Sequence, residues 1–121
     1  MRATTRLRQL IAGPKILLAP GAYDGITARL IEQAGFSALY MTGAGTAASF
    51  GLPDYGLLTM TEMVGNAARI TAAATTLPLI ADGDTGYGTE LNVVRTVQEH
   101  ERAGTAGIHI CLLYTSPSPR D

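Results

Sequence analysis

Apolar positions fall in short bursts along this chain, and the spacing within each burst separates strand from helix. Residues 16–19 (Ile16, Leu17, Leu18, Ala19) form a continuous apolar run, the pattern of a strand buried on both faces. Residues 38–41, 77–81 and 107–110 are three more runs of strand length. Pro78 stands near the start of its run, where the missing N–H costs least. Between the runs the period becomes helical. Residues 4–12 predict a short helix stopped by Gly13-Pro14. Pro20-Gly21-Ala22-Tyr23 predicts a turn, after which Asp24 caps a helix with Ile26, Leu30, Ile31 and Ala34 on one face and Gly35 at its end. Thr42-Gly43-Ala44-Gly45 opens a short helix of small residues, and residues 51–56 read as a loop. Thr59 and Glu62 have the Thr-x-x-Glu form of a capping box, and Met60, Met63, Val64, Ala67, Thr71 and Ala74 recur at helical spacing around it. Thr89 caps a last helix that carries Val93, Val94 and Val97 and ends at Gly104.

One junction occurs twice. Glu32-Gln33-Ala34-Gly35 followed by Phe36-Ser37-Ala38-Leu39-Tyr40 parallels Glu101-Arg102-Ala103-Gly104 followed by Thr105-Ala106-Gly107-Ile108-His109. Each is a helix end, a glycine cap, a short link and a strand. Alternating apolar strands and helices predict a parallel sheet of βα units. The pattern breaks after residue 110. Residues 111–121 have no helix for the next crossover, and Pro117 and Pro119 oppose any regular element. We expect a partial α/β barrel over 1–110 and an irregular tail, foreign or frame-shifted in origin, over 111–121.

Composition narrows the function classes. The chain has 121 residues, below the usual size of a complete α/β barrel. With 46% hydrophobic and 16% charged residues it is globular rather than disordered. A formal charge of −1 leaves no footprint for nucleic acid or an anionic membrane. A single cysteine, Cys111, excludes an internal disulfide framework and fits a reducing, cytoplasmic compartment.

Candidate chemistry sits at the predicted C-terminal ends of strands, where α/β proteins bind ligands. Asp82 and Asp84 lie two apart among glycines. In an extended segment their side chains share a face, and a hard cation such as Mg2+ would relieve their repulsion. Spacing alone slightly favours an ordinary Asp/Gly turn. A calcium EF-hand fits poorly, because Tyr87 stands where that loop needs glycine and Val93 where it needs glutamate. Thr42-Gly43-Ala44-Gly45 leaves backbone N–H groups for a carboxylate or phosphate. Gly43-x-Gly45-x-x-Ala48 also matches a dinucleotide fingerprint, but the next strand ends at Asp82, too late for the required acidic residue. A tight turn explains the segment equally well. Asp54 is a loop carboxylate. His100 is expected on a helix surface, and His109, alternating with Ile108 and Ile110, is expected to pack.

Three blocks in order, Tyr40-Met41-Thr42-Gly43-Ala44-Gly45, Gly51-Leu52-Pro53-Asp54 and Asp82-Gly83-Asp84-Thr85-Gly86-Tyr87-Gly88, resemble the isocitrate lyase/phosphoenolpyruvate mutase superfamily. The likeness runs over about residues 7–110, and the third block is its specific part. The resemblance implies the N-terminal half of a (β/α)8 TIM-type barrel, about four parallel strands with intervening helices. It implies Mg2+ held by Asp82 and Asp84, a substrate carboxylate bound by Tyr40, Thr42, Gly43 and Ala44, and Asp54 as a catalytic carboxylate. The implied activity is a carbon–carbon lyase acting on a 2-oxo or 2-hydroxy di- or tricarboxylic acid through a metal-stabilised enolate. Phosphonomutase and oxaloacetate decarboxylase branches of the same superfamily, and a non-catalytic module binding a small anion, are the alternatives. Full-length relatives imply a homotetramer.

The departures from that pattern lie near the end. Cys111 occupies the position of an acidic residue that joins the metal site in the family, and the Lys/Arg-Cys-Gly-His loop of its lyases is absent. With strand edges left open, a chain of this length alone is expected to be poorly soluble and without lyase activity.

Overall fold

A computed structural model describes residues 1–111, so the irregular tail expected over 111–121 lies, past Cys111, outside the described residues. Its elements run α1 (Ala3–Ala12), β1 (Gly21–Ala22), α2 (Gly25–Gln33), β2 (Leu39–Met41), α3 (Gly43–Ser49), α4 (Met60–Ala73), β3 (Leu79–Asp82), α5 (Glu90–Arg102) and β4 (Gly107–His109). The four strands form one parallel sheet in chain order, β1-β2-β3-β4. Each successive strand is reached through helix, as parallel pairing requires. Among the described residues no helix is long and apolar enough to cross a membrane.

Local chemistry sets the helix starts. Asp24 accepts the Thr27 N–H at 2.8 Å, and the Thr27 hydroxyl accepts from the Asp24 N–H at 3.2 Å. Thr59 and Glu62 make the same reciprocal exchange at 3.1 and 2.9 Å. Both are capping boxes, satisfying N–H groups that the first turn leaves without partners. The duplicated junction is duplicated in space. Gly35 and Gly104 both lie just past a helix end at φ +89° and +87°, and their N–H groups reach Glu32 O and Glu101 O, each at 3.1 Å. A left-handed residue at this position turns the chain from helix back into the sheet, and glycine adopts it without a Cβ penalty.

The core lies between the sheet and helices α2 and α4. Leu39, Met41, Leu79 and Ala81 from the strands meet Ala28 of α2 and Met63, Ala67 and Ile70 of α4. These are the alternate residues of β2 and β3, so the other side chains of those strands face away from this layer.

Several expectations need correction. The first strand is Gly21–Ala22, inside the segment read as a turn, and residues 16–19 are not strand. Ile16 and Leu18 are 88% and 61% exposed. Pairing decides this: β2 bonds to Pro20 O through the Tyr40 N–H and to Ala22 O through the Thr42 N–H, at 2.9 and 3.1 Å, and offers nothing to the apolar run upstream. On α2 the inward residues are Ala28 and Ile31, while Ile26 and Leu30 are exposed. On α5 the buried residues are Thr96 and His100, and Val94 and Val97 are largely exposed. His100 is thus not a surface residue: it is 1% exposed, with Nδ1 3.3 Å from Thr105 Oγ1 and no partner for Nε2 among the described residues.

Candidate metal and carboxylate site

Asp82 is the last residue of β3, and Asp84 follows in the turn at φ +48°. The pair is therefore not extended, and the shared-face argument from strand geometry does not apply. A different device brings the carboxylates together. Asp82 Oδ1 accepts the Asp84 N–H at 2.9 Å, folding the backbone back over its own strand end. A Cβ placed on Gly43 would collide with Asp82 Oδ2 and stand 3.5 Å from Asp84 Oδ1. Both carboxylates thus reach one point above the Gly43 backbone, and only a residue without a side chain fits beneath them.

The loop is held on three sides. Gly83 N–H donates to His109 O at 2.8 Å, and Cys111 N–H donates to Asp84 O at 2.7 Å, so β4 supports it from one side. From α5, the buried Thr96 hydroxyl reaches Gly86 O at 2.9 Å. Tyr87, at φ +63°, packs its ring against the core.

On the neighbouring strand, Tyr40 and Thr42 flank the end of β2. Thr42 caps α3, accepting the Gly45 N–H at 3.1 Å. The first helical turn has N–H groups without intrahelical partners, and with Gly45 satisfied those of Gly43 and Ala44 are left. Tyr40 Oη lies 3.2 Å from His109 Nδ1. His109 is exposed rather than packed, contrary to expectation, because its strand position faces the side away from the helical layer. Asp54 lies in the exposed loop after α3 and adds its charge to those acting on Asp84.

Electrostatics mark the pair as uncompensated. Burial first, then the Asp82 charge, holds Asp84 above the usual carboxylate range. Burial, then Asp82, likewise raises the Tyr40 phenol, which stays protonated at neutral pH. Tyr87 is pushed up by burial and then by Asp84, whose carboxylate its buried hydroxyl approaches. Two carboxylates converging on one point fit a hard cation, which would relieve their mutual repulsion. Among the described residues no cluster of three or more His, Cys, Asp or Glu is placed to hold a metal. Mg2+ suits such a two-carboxylate site, because it usually keeps several waters.

Of the residues the sequence points to, Tyr40, Thr42, Gly43, Ala44, Asp82 and Asp84 lie at the ends of β2 and β3, and Asp54 stands apart in the exposed loop after α3. His109, Tyr87 and Thr96 also border this site. Only Tyr87 carried a signal, as part of the Asp-Gly-Asp-Thr-Gly-Tyr-Gly block.

Residues 7–111 match the phosphoenolpyruvate phosphomutase family. The 2,3-dimethylmalate lyase of Eubacterium barkeri is 51% identical over 111 residues, which cover 91% of this chain and 38% of that protein. The 2-methylisocitrate lyase of Bacillus subtilis is 46% identical over 105 residues, 87% of this chain and 35% of the relative. A solved phosphonopyruvate hydrolase complexed with oxalate and Mg2+ superposes with a TM-score of 0.86 at 33% identity, over 91% of this chain and 38% of its own. The chain therefore spans a little over a third of the length of these relatives.

Proposed function

The chain belongs to the phosphoenolpyruvate phosphomutase family of the isocitrate lyase/phosphoenolpyruvate mutase superfamily, and from that premise we propose that it carries the metal and carboxylate corner of a Mg2+-dependent carbon–carbon lyase. The substrate class is a 2-oxo or 2-hydroxy di- or tricarboxylic acid. The observation that carries this reading is the convergence of Asp82 and Asp84 over Gly43.

In this reading Asp82 and Asp84 hold the ion, directly or through water. Mg2+ bound there supplies Lewis-acid stabilisation of negative charge that develops on oxygen beside the cleaved bond. The remaining work falls to the chain's own groups. The free N–H groups of Gly43 and Ala44 bind a substrate carboxylate and fix its orientation. The Thr42 hydroxyl accepts from Gly45 and keeps its own proton to donate to the same carboxylate. Tyr40, held protonated, donates from the other side, and His109 Nδ1 limits where its hydroxyl can point. Asp54 brings a further carboxylate from the loop. Pre-set donors of this kind stabilise developing charge without reorganising during the reaction.

Calorimetry with oxalate, with and without Mg2+, on the parent and on Asp82→Ala tests the reading. Oxalate uptake should require Mg2+ and vanish in the variant. Uptake that ignores both the ion and the substitution would replace the lyase reading with that of a simple anion-binding module.

A further inference from the structure

Behind the site, on the core side, a buried polar side chain ties two strand ends together. Asn66 is 4% exposed in the middle of α4, among Met63, Ala67 and Ile70. Its Nδ2 donates to Tyr23 O, just past β1, at 2.9 Å, and to Thr46 Oγ1 of α3 at 3.2 Å. The fully buried Thr46 hydroxyl passes the connection on, donating to Thr42 O at 2.7 Å. Thr42 precedes Gly43, whose backbone lies beneath both carboxylates. An amide in an apolar layer is costly unless both its protons are used, and here one holds the backbone just past β1 and the other the Thr46 hydroxyl of the β2–α3 turn.

We infer that Asn66 is a positioning residue: through Thr46 it sets the height of the Gly43 backbone under Asp82 and Asp84. Asn66 touches neither ion nor substrate. The inference rests on the metal reading above and deepens it by naming what pre-organises the corner. A merely structural Asn66 would lower stability when replaced and leave the metal corner unchanged.

The test compares Asn66→Leu, which keeps size and removes both donors, with Thr46→Val, which removes the hydroxyl, and Thr46→Ser, which keeps it. Thr71→Val is the stability control: it deletes another α4 hydroxyl, bonded to Ala103 O at 2.8 Å, away from the site. Each is read by thermal unfolding, by amide hydrogen exchange without ligand, and by Mn2+ affinity. Asn66→Leu and Thr46→Val should speed exchange of the Gly45 amide at least tenfold relative to α5 amides and weaken Mn2+ at least fivefold. Their combination should do no more than either alone. Thr46→Ser should match the parent, and Thr71→Val should lose stability with both site readouts unchanged. Unchanged Gly45 exchange in Thr46→Val, or the same change in Thr71→Val, overturns the inference. If Asn66→Leu does not fold, the Thr46 pair decides. If the parent takes up no Mn2+, the metal reading falls, and the exchange data still judge the positioning role.

Discussion

Adding one methyl group at Gly43 should disable the site in a way that a second substitution reverses. The Cβ of Gly43→Ala collides with Asp82 Oδ2 and stands 3.1 Å from Asp82 Cγ. The backbone does not object: Gly43 has no positive φ and is the first residue of α3. Alanine in a helix is worth roughly 0.5–1 kcal/mol over glycine, whereas overpacking a filled space costs roughly 1–3 kcal/mol. The net expectation is a loss of roughly 0–2.5 kcal/mol, centred on about 1 kcal/mol or a few degrees in Tm for a domain of this size. To escape, the Asp82 carboxylate must rotate off its bond to the Asp84 N–H, so Mg2+ affinity should fall at least tenfold. In an Asp82→Ala background the obstacle is gone, and Gly43→Ala should become neutral or stabilising by up to about 1 kcal/mol. Urea unfolding of the four proteins closes a double-mutant cycle with a coupling of roughly 1–3 kcal/mol. Equal destabilisation in both backgrounds would refute the geometry.

Other consequences follow from charge and burial. Asp84 has its folded-state pKa raised, so its share of stability is present below the ordinary carboxylate value and is lost as pH rises through the folded one. Asp84→Asn should therefore stabilise the metal-free protein at neutral pH by up to about 1 kcal/mol, helped by asparagine's tolerance of φ +48°, while calorimetry shows metal binding lost. His100 has the opposite sign: burial lowers its pKa, so the unfolded chain binds the proton first. Stability should hold above about pH 6.5 and decline below it, by at most ~1.4 kcal/mol per pH unit, and His100→Gln should flatten urea midpoints between about pH 5 and 7. Cys111 donates its N–H to Asp84 O, which sets its backbone beside the metal corner. Cys111→Glu should tighten Mg2+ at least fivefold by calorimetry, and a parent-like affinity would argue against a shared site.

Sequence patterns read the architecture well where local chemistry dictates it. The Asp24 and Thr59 capping boxes and the Gly35 and Gly104 caps are written in adjacent residues, and they fix where helices begin and where the chain turns back to the sheet. The first strand lies outside the apolar run because hydrophobicity does not choose a partner; the bonds from Tyr40 and Thr42 select Pro20 and Ala22. The inward face of α5 carries Thr96 and His100, polar and buried, which no apolar periodicity reveals. For the site, the motifs located Asp82 and Asp84 but gave the wrong reason for their meeting, which is a left-handed turn rather than strand alternation. Asn66 was invisible because its role exists only through bonds to Tyr23 and Thr46, 43 and 20 residues away.

Paramagnetic Mn2+, titrated into 15N-labelled protein, tests the central claim most directly. One ion held by Asp82 and Asp84 should broaden the amide signals of Gly43, Gly83 and Asp84 first, at substoichiometric metal, and Asp82→Ala should abolish that selective broadening while leaving the rest of the spectrum in place. Broadening centred elsewhere, or unchanged by Asp82→Ala, would contradict the account.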